Sequence, residues 1–150
     1  MKYTDPKYGF SLRLPDWWTK YIVVERLNRF GEALYGVQFL FKYEGKVYTD
    51  VLTLSVYRMT RKQWRDRGYD DTPLNFLAER NGRIFVYSVP GEPPEEFYDE
   101  NSEDGYDPKY AIPLDLLRRM INDDVPRLVK TFKLAVRQPV KRRPPSAGSR

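Results

Sequence analysis

The sequence predicts a single domain of the α+β class. Apolar and polar residues alternate over 35–43 and again over 47–57, and the turn 44–46 joins these stretches into a long antiparallel hairpin. Apolar residues then recur at helical spacing over 114–128. The chain of 150 residues has 41% hydrophobic and 15% aromatic side chains, which is enough for one folded domain with its own core.

The N-terminal part of the chain predicts two strands followed by a pair of tryptophans. Residues 2–4 fit a short edge strand, and the alternation over 10–14 fits a strand with one buried face. Pro15 cannot extend that strand, because it has no N–H to donate. Trp17 and Trp18 follow at once. We expect one of these rings to be mostly buried and the other to be partly exposed.

Further strands are predicted on either side of the long hairpin. Residues 21–27 are rich in β-branched side chains, which favour extended structure. Residues 75–80 and 83–89 flank Asn81 and Gly82, a dipeptide typical of type I′ turns. The sequence therefore predicts a second hairpin at this point.

A short helix is predicted directly after the long hairpin. Thr60 and Gln63 have the spacing of a capping box, and Gly68 can end the helix in the left-handed conformation. Trp64 is the only large apolar residue of the segment. We therefore expect Trp64 to attach this helix to the core.

The C-terminal part of the chain predicts a longer helix with an interruption. Pro113 is acceptable in the first turn of the helix over 114–128. Pro126 is expected to break or restart that helix after Asp124, because proline disrupts the hydrogen-bond ladder. Residues 131–134 fit a short final strand.

An acidic insertion over 91–108 precedes this helix. It holds eight carboxylates between Glu92 and Asp107 and no basic residue. Because like charges repel, we expect the insertion to be mobile unless a cation or the basic helix 61–67 offsets the repulsion. An EF-hand does not fit, since a loop that starts at Asp99 places its glycine seventh and not sixth. A looser calcium site and a solvated loop are the two alternatives.

The net charge of +5 comes from a C-terminal tail and not from the domain. Five of the 26 basic residues lie in 137–150, which holds no acid, so residues 1–136 keep 21 basic and 21 acidic side chains. The tail is rich in Pro, Ser and Gly, and it is predicted to be flexible. Its Lys141, Arg142 and Arg143 are the candidate residues for binding an anionic surface or nucleic acid.

The absence of two residue types excludes several classes of chemistry. The chain has no cysteine and no histidine, which excludes thiol nucleophiles, disulfides, cysteine-ligated metals and histidine-based catalysis. No cofactor and no metal site are predicted. No apolar run is long enough for a membrane-spanning helix, and residues 1–5 lack the apolar core of a signal peptide.

Two groups of side chains are candidates for a functional site. Glu25, Asp50 and Glu79 lie in or beside predicted strands, and paired carboxylates could catalyse glycosidase-type hydrolysis. Exposure at a sheet edge, or a cross-strand pair with Lys or Arg, is the structural alternative. Tyrosines combined with arginines are typical of protein-binding surfaces. The predicted docking surface comprises Tyr35, Tyr43, Tyr48, Tyr57, Arg61 and Arg65.

The two ends of the domain resemble those of a known family. The segment 8–18, with its Tyr-Gly-Phe-Ser-Leu-Arg-Leu-Pro run and Trp pair, resembles the opening of PsbP-like domains, and 125–134 resembles their end. The resemblance implies an α/β/α sandwich with a central, mainly antiparallel sheet. The photosystem II extrinsic protein PsbP and a Ran-binding nuclear import factor share that fold, and both act by docking. Gram-positive bacteria often export such domains, so the resemblance also implies an extracytoplasmic location.

We therefore predict a non-catalytic docking module over 1–136 that binds a protein partner in the cell envelope or in an extracytoplasmic assembly. The chain is not predicted to be an enzyme. Two alternatives stay open, and they belong to other functional classes. One is a small hydrolase that uses carboxylates, and the other is binding of nucleic acid or an anionic surface through the basic tail.

Overall fold

Antiparallel strands make up most of the structure, a computed structural model that describes residues 1–136. The predictions for the tail, including those for Lys141, Arg142 and Arg143, fall outside the described residues. None of the helices within 1–136 is long and apolar enough to cross a bilayer. The strands are β1 (Lys2–Thr4), β2 (Phe10–Arg13), β3 (Ile22–Leu27), β4 (Tyr35–Tyr43), β5 (Lys46–Arg58), β6 (Asn75–Arg80), β7 (Arg83–Ser88) and β8 (Lys133–Leu134). The helices are α1 (Arg61–Asp66), α2 (Ala111–Arg118) and α3 (Val125–Leu128).

The strands form two antiparallel sheets, which together with the helices confirm the α+β class. The larger sheet has the order β3-β4-β5-β7-β6, and the smaller sheet has the order β1-β2-β8. The resemblance implied one central sheet, and the division into two has a local cause. Pro15 ends β2, and a 3₁₀ turn over Asp16–Lys20 then carries the chain to the edge of the larger sheet. The layer order of an α/β/α sandwich stays a prediction.

The two hairpins lie where the sequence predicts them. Glu44 and Gly45 turn between β4 and β5 with φ of 49° and 82°, and Asn81 and Gly82 turn between β6 and β7 with φ of 53° and 73°. Positive φ at both central positions is the type I′ geometry, which matches the twist of paired strands. β4 spans the predicted residues, whereas β5 is longer than predicted by one residue at each end.

The main core lies between the two sheets and beneath the C-terminal helix. Phe10 of β2 faces Phe85 of β7 with 6.1 Å between ring centroids, and Tyr3 of β1 contacts Phe39 of β4 edge-on at 5.2 Å. Alternate side chains of β4 and β5 point into this core, as the pleat of a strand requires. Its largest fully buried side chains are Phe10, Leu12, Trp18, Val37, Phe39, Phe41, Leu52, Phe97, Leu117 and Met120.

A smaller apolar cluster lies on the opposite face of the larger sheet. Ile84 and Val86 alternate with Phe85 of the main core, so they point the other way, toward α1. Trp64 of α1 packs against them and is 1% exposed. The capping box at the start of α1 forms as predicted. Trp64 therefore attaches this helix to the sheet as predicted, through the smaller cluster and not through the main core.

The C-terminal helix contains one widened turn. α2 ends at Arg118, a π-type turn spans Arg119–Asp124, and α3 begins at Val125, directly before Pro126. The proline has no N–H, and its ring clashes with the carbonyl one turn back, so the regular ladder cannot continue there. The predicted interruption at Pro126 is confirmed.

Asp124, in this widened turn, joins the C-terminal helix to the N-terminal tryptophans. Its Oδ2 accepts hydrogen bonds from Trp17 Nε1 at 2.9 Å and from Trp18 Nε1 at 2.8 Å. Trp18 is fully buried, whereas Trp17 is half-buried and carries the Arg119 guanidinium 4.3 Å from its ring centroid. This confirms that one ring of the pair belongs to the core and the other to the rim.

The acidic segment packs onto the fold mainly through a buried aromatic residue, Phe97. Phe97 is fully buried, with 5.1 Å between its ring centroid and that of Tyr48 and 4.9 Å to that of Tyr110. Glu96 forms an ion pair with Lys46, at the turn between β4 and β5. Lys46 begins β5, and α1 follows the other end of that strand. The ion pair of this segment therefore forms with Lys46 and not with the basic helix 61–67, which was one of the alternatives.

We predict that Trp18→Ala lowers the free energy of unfolding by about 3–5 kcal/mol, because it leaves a cavity in the core. Trp17→Ala removes a half-buried ring and a hydrogen bond at the rim, so we expect it to cost less than half as much. Urea unfolding followed by circular dichroism measures both losses. Equal losses in the two variants would contradict the assignment of Trp18 as the core ring.

Candidate binding surfaces

The predicted docking residues divide among three places, so the six do not form one surface. Tyr35 lies in the main core and is 2% exposed. The turn between β4 and β5 carries a second group, and α1 with the neighbouring end of β5 carries the third. The second group is Tyr43 with Tyr48, and the third is Tyr57 with Arg61 and Arg65.

Tyr35 is not available to a partner, because its hydroxyl is bound to a buried carboxylate. It donates to Asp5 Oδ1 at 2.6 Å, and the hydroxyl of Tyr3 donates to the same oxygen at 2.9 Å. Asp5 Oδ2 accepts from the backbone N–H of Lys7 at 3.1 Å and of Tyr8 at 2.7 Å. These donors satisfy a carboxylate that is 1% exposed. The prediction that Tyr35 belongs to the docking surface is corrected, since its ring is part of the core.

The two tyrosines bound to Asp5 hold their protons more tightly than free tyrosine does. Burial raises the pKa of Tyr35 well above its usual value of 10.0, and the hydrogen bond to Asp5 raises it further. Burial raises the pKa of Tyr3 to about 12, against the opposing effect of the nearby Arg26 guanidinium. Both hydroxyls therefore remain neutral hydrogen-bond donors over the whole range in which most proteins work.

Tyr43 belongs to an aromatic stack at the turn of the long hairpin. Its ring stacks on that of Tyr21 with 6.3 Å between centroids, and Phe41 lies against both rings. Tyr48 packs instead on Phe97 of the acidic segment. Tyr48 is half-buried between Phe41 and that segment, so Tyr21 and Tyr43 supply the aromatic rings that remain beside the neighbouring groove.

A groove of about 470 Å³ runs beside the aromatic stack, between the hairpin turn and the start of β3. Tyr21 and Tyr43 supply its aromatic lining. Lys20 and Lys42 line it with positive charge, and Glu44 is the acid among its lining residues. The groove continues onto the first residues of β3. It therefore joins an aromatic and weakly basic surface to the edge of the larger sheet.

β3 is an edge strand with one open side. It ends the larger sheet, where β4 is its only paired neighbour among the described strands. Lys42 N donates to Tyr21 O at 2.7 Å, so Tyr21 is hydrogen-bonded to β4. In an antiparallel pair every second residue of a strand bonds to its neighbour, and the residues between them point the other way. The N–H and C=O groups of Ile22, Val24 and Arg26 therefore point away from β4. Val24 is 36% exposed, and such an edge can accept a further strand.

Tyr57, Arg61 and Arg65 lie around α1, but only Arg65 among them is exposed. The ring of Tyr57 lies 6.0 Å from that of Trp64, within the smaller apolar cluster. The guanidinium of Arg61 lies 3.5 Å from the ring centroid of Phe76. These contacts hold α1 on the sheet, so they explain Tyr57 and Arg61 without a partner.

The carboxylates proposed for hydrolysis are held apart by the sheet. Glu79 of β6 lies at the same level of the sheet as Tyr57 of β5, with β7 between them. Tyr57 is seven residues along β5 from Asp50. Seven residues of a strand separate their backbones by about 20 Å, and hydrolysis needs two carboxylates about 5–10 Å apart. Asp50 accepts hydrogen bonds from two threonines, and Glu79 accepts one from the backbone of Arg61. Glu25 lies exposed on β3.

The acidic segment gives no support to a calcium site. Within residues 1–136, no group of three or more Asp or Glu side chains lies where it could hold a metal ion. Asp99 accepts from the N–H of Asn101, and Asp104 accepts from Tyr106 N–H and Ser102 Oγ. The two hydrogen bonds to Asp104 lower the pKa of its carboxyl, and the bond from the backbone N–H of Tyr106 has the larger effect. The two carboxylates therefore stabilise local turns.

Comparison with known proteins returned no relative. No family model, no curated protein and no solved structure matches the chain. The PsbP-like resemblance therefore stays a prediction.

Two features of these surfaces escape prediction from the sequence. Asp5 precedes Pro6, which indicates a turn but not that a distant tyrosine closes over the carboxylate. The open side of β3 has a weak signal, because Glu25 and Arg26 place charges within a β-branched strand. Charged residues of this kind are typical of edge strands.

We predict that the free energy of unfolding falls as the pH rises above about 10, because Tyr3 and Tyr35 have raised pKa values in the folded state. Below that pH the folded and unfolded chains both keep the two hydroxyl protons, so these groups do not make the free energy of unfolding depend on pH. Above it the unfolded chain loses them first, and each tyrosine costs about 1.4 kcal/mol per pH unit until its folded-state pKa is passed. Urea unfolding over a pH series should show a smaller slope in Tyr35→Phe. The same slope in both proteins would contradict the assignment.

Proposed function

We propose that the chain is a non-catalytic docking module that binds an extended segment of another protein along the edge of β3. The observation that carries this proposal is the open edge itself. β3 has unpaired N–H and C=O groups at alternate residues, and Val23 and Val24 are 37% and 36% exposed. A partner strand would satisfy those backbone groups and cover these two side chains.

Strand addition suits this edge for reasons of geometry. The groups that point outward belong to Ile22, Val24 and Arg26, and this spacing of two residues is what an added antiparallel or parallel strand requires. β3 has six residues, which is an ordinary strand length. The Tyr21 and Tyr43 rings lie at one end of the edge and offer a lining for an apolar or aromatic side chain of the partner.

The charges around the edge favour an acidic partner segment. Lys20 and Lys42 line the groove beside β3, and Glu44 is the acid among its lining residues. A carboxylate of the bound segment would therefore meet more positive than negative charge there. The resemblance to PsbP-like domains implies the same class of function, and it implies a location in the cell envelope or an extracytoplasmic assembly.

We predict that Val24→Pro abolishes partner binding and leaves the fold intact. The N–H of Val24 points away from β4, so proline at this position removes a bond to the partner and none to the sheet. The matched control is Val24→Thr, which keeps the N–H and the β-branched shape. Affinity capture from cell extract with each variant as bait, followed by mass spectrometry, measures retention. We expect proteins retained by the wild type and by Val24→Thr to fall at least about tenfold with Val24→Pro, since a strand contributes several hydrogen bonds.

Retention of the same proteins by Val24→Pro would contradict docking at this edge. Sedimentation of the purified chain provides the second arm of the experiment. If the wild type forms a dimer that Val24→Pro removes, then the edge pairs with a second copy, and the proposal of a different protein partner is wrong.

A further inference from the structure

A second cavity, of about 350 Å³, lies away from the hairpin turn, where the loop before β4 meets the ends of β5 and β7. Four of its lining residues are basic, namely Lys7, Arg29, Arg58 and Arg83. Glu32 is the acidic residue among those that line it. The volume lies within the range of sites that bind small molecules. The cavity therefore combines ligand size with an excess of positive charge.

The four cations have no acidic partner in the described part of the chain. None of them lies within salt-bridge distance of a carboxylate among residues 1–136. Glu32 instead accepts a hydrogen bond from the hydroxyl of Tyr69 at 3.0 Å. Lys7, Arg29 and Arg58 are exposed and Arg83 is half-buried, so water screens much of their mutual repulsion, but together they leave the cavity with a net positive charge.

The pairing of strands brings two of these cations together directly. Arg58 of β5 lies opposite Arg83 of β7, and Arg83 lies opposite Arg80 of β6. Like charges at opposite positions of paired strands destabilise a sheet. Arg80 donates to the backbone carbonyl of Ala135 at 2.6 Å, whereas Arg58 and Arg83 have no such acceptor among residues 1–136. The two arginines therefore form a positive pair that faces the cavity without a counterion.

Arg83 also carries an unsatisfied hydrogen-bond donor. Its Nε is fully buried and has no hydrogen-bond partner among residues 1–136. The guanidinium carbon lies 5.7 Å from the ring centroid of Tyr8, and Lys7 Nζ lies 5.8 Å from the same centroid. A buried N–H without an acceptor costs free energy, and the Nε of Arg61 is in the same situation, so this atom alone does not indicate a ligand. The Nε itself is covered by the protein, so an anion in the cavity would bind the terminal Nη groups of Arg83, which have no acceptor among residues 1–136.

We infer that this cavity binds a phosphate group, either free phosphate or the phosphate of a small phosphate ester. The guanidinium fork matches the oxygens of phosphate, and Arg58 and Arg83 supply two such forks from adjacent strands. Phosphate carries close to two negative charges at neutral pH, which suits four cations and one acid better than a single carboxylate does. The inference goes beyond the docking function and does not depend on the edge of β3.

Isothermal titration calorimetry of the whole chain at physiological salt tests the inference, with inorganic phosphate and glycerol 3-phosphate as the two probes. We expect at least one probe to bind with a Kd below about 1 mM. Tighter binding of glycerol 3-phosphate would identify an ester as the ligand class, and tighter binding of inorganic phosphate would identify the free anion. Acetate serves as the singly charged comparison and should bind at least about tenfold more weakly.

Two variants locate the binding in the cavity. Arg83→Lys keeps the charge but removes the planar fork, so we expect about tenfold weaker binding. Arg29→Glu reverses a charge on an exposed loop residue, which should weaken binding by at least as much without a risk to folding. Arg127→Glu, at an exposed arginine of α3, is the matched control and should bind as the wild type does. Absence of binding by both probes, or binding that Arg29→Glu leaves unchanged, would overturn the inference.

Discussion

The buried carboxylate of Asp5 is the contact on which the arrangement of the two sheets depends. Asp5 directly follows β1 of the smaller sheet, and it binds the hydroxyl of Tyr35 at the start of β4 in the larger one. The same carboxylate fixes the backbone of Lys7 and Tyr8. Because a buried carboxylate without donors costs several kcal/mol, the turn after β1 and the packing of β1 on β4 must form together. The position of Lys7 and Tyr8 at the basic cavity follows from this turn.

The acidic and basic side chains of this fold differ in whether they have partners within the described residues. Two of the three candidate catalytic carboxylates have partners, since Asp50 binds threonines and Glu79 binds the start of α1, whereas Glu25 lies exposed on β3. The arginines opposite one another on β5 and β7 lack acidic partners within residues 1–136. A carboxylate whose hydrogen bonds are complete within the fold has little capacity left for a ligand, whereas an arginine without an acidic partner can still bind an anion. This difference favours recognition of acidic partners and anions over carboxylate chemistry.

The local features of the fold follow from the sequence, and the non-local ones do not. The turns at Gly45 and Gly82, and the interruption at Pro126, depend on a few neighbouring residues and appear as predicted. The division into two sheets, the burial of Asp5 beneath Tyr35 and the opposition of Arg58 and Arg83 depend on strand pairing between distant segments. Composition indicated an aromatic docking surface, but aromatic rings pack into a core as readily as they line a surface. The sequence pattern alone could not assign Tyr35 and Tyr48 to packing.

A double-mutant cycle on Asp5 and Tyr35 tests most directly whether this carboxylate couples the two sheets. The free energy of unfolding is measured by urea denaturation for the wild type, Asp5→Ala, Tyr35→Phe and the double variant. If the hydrogen bond between the two side chains joins the sheets, the sum of the two single-variant losses in unfolding free energy should exceed the loss of the double variant. The expected difference is about 1.5–3 kcal/mol, the range for a hydrogen bond to a charged group. Losses that add to within about 0.5 kcal/mol would contradict the coupling.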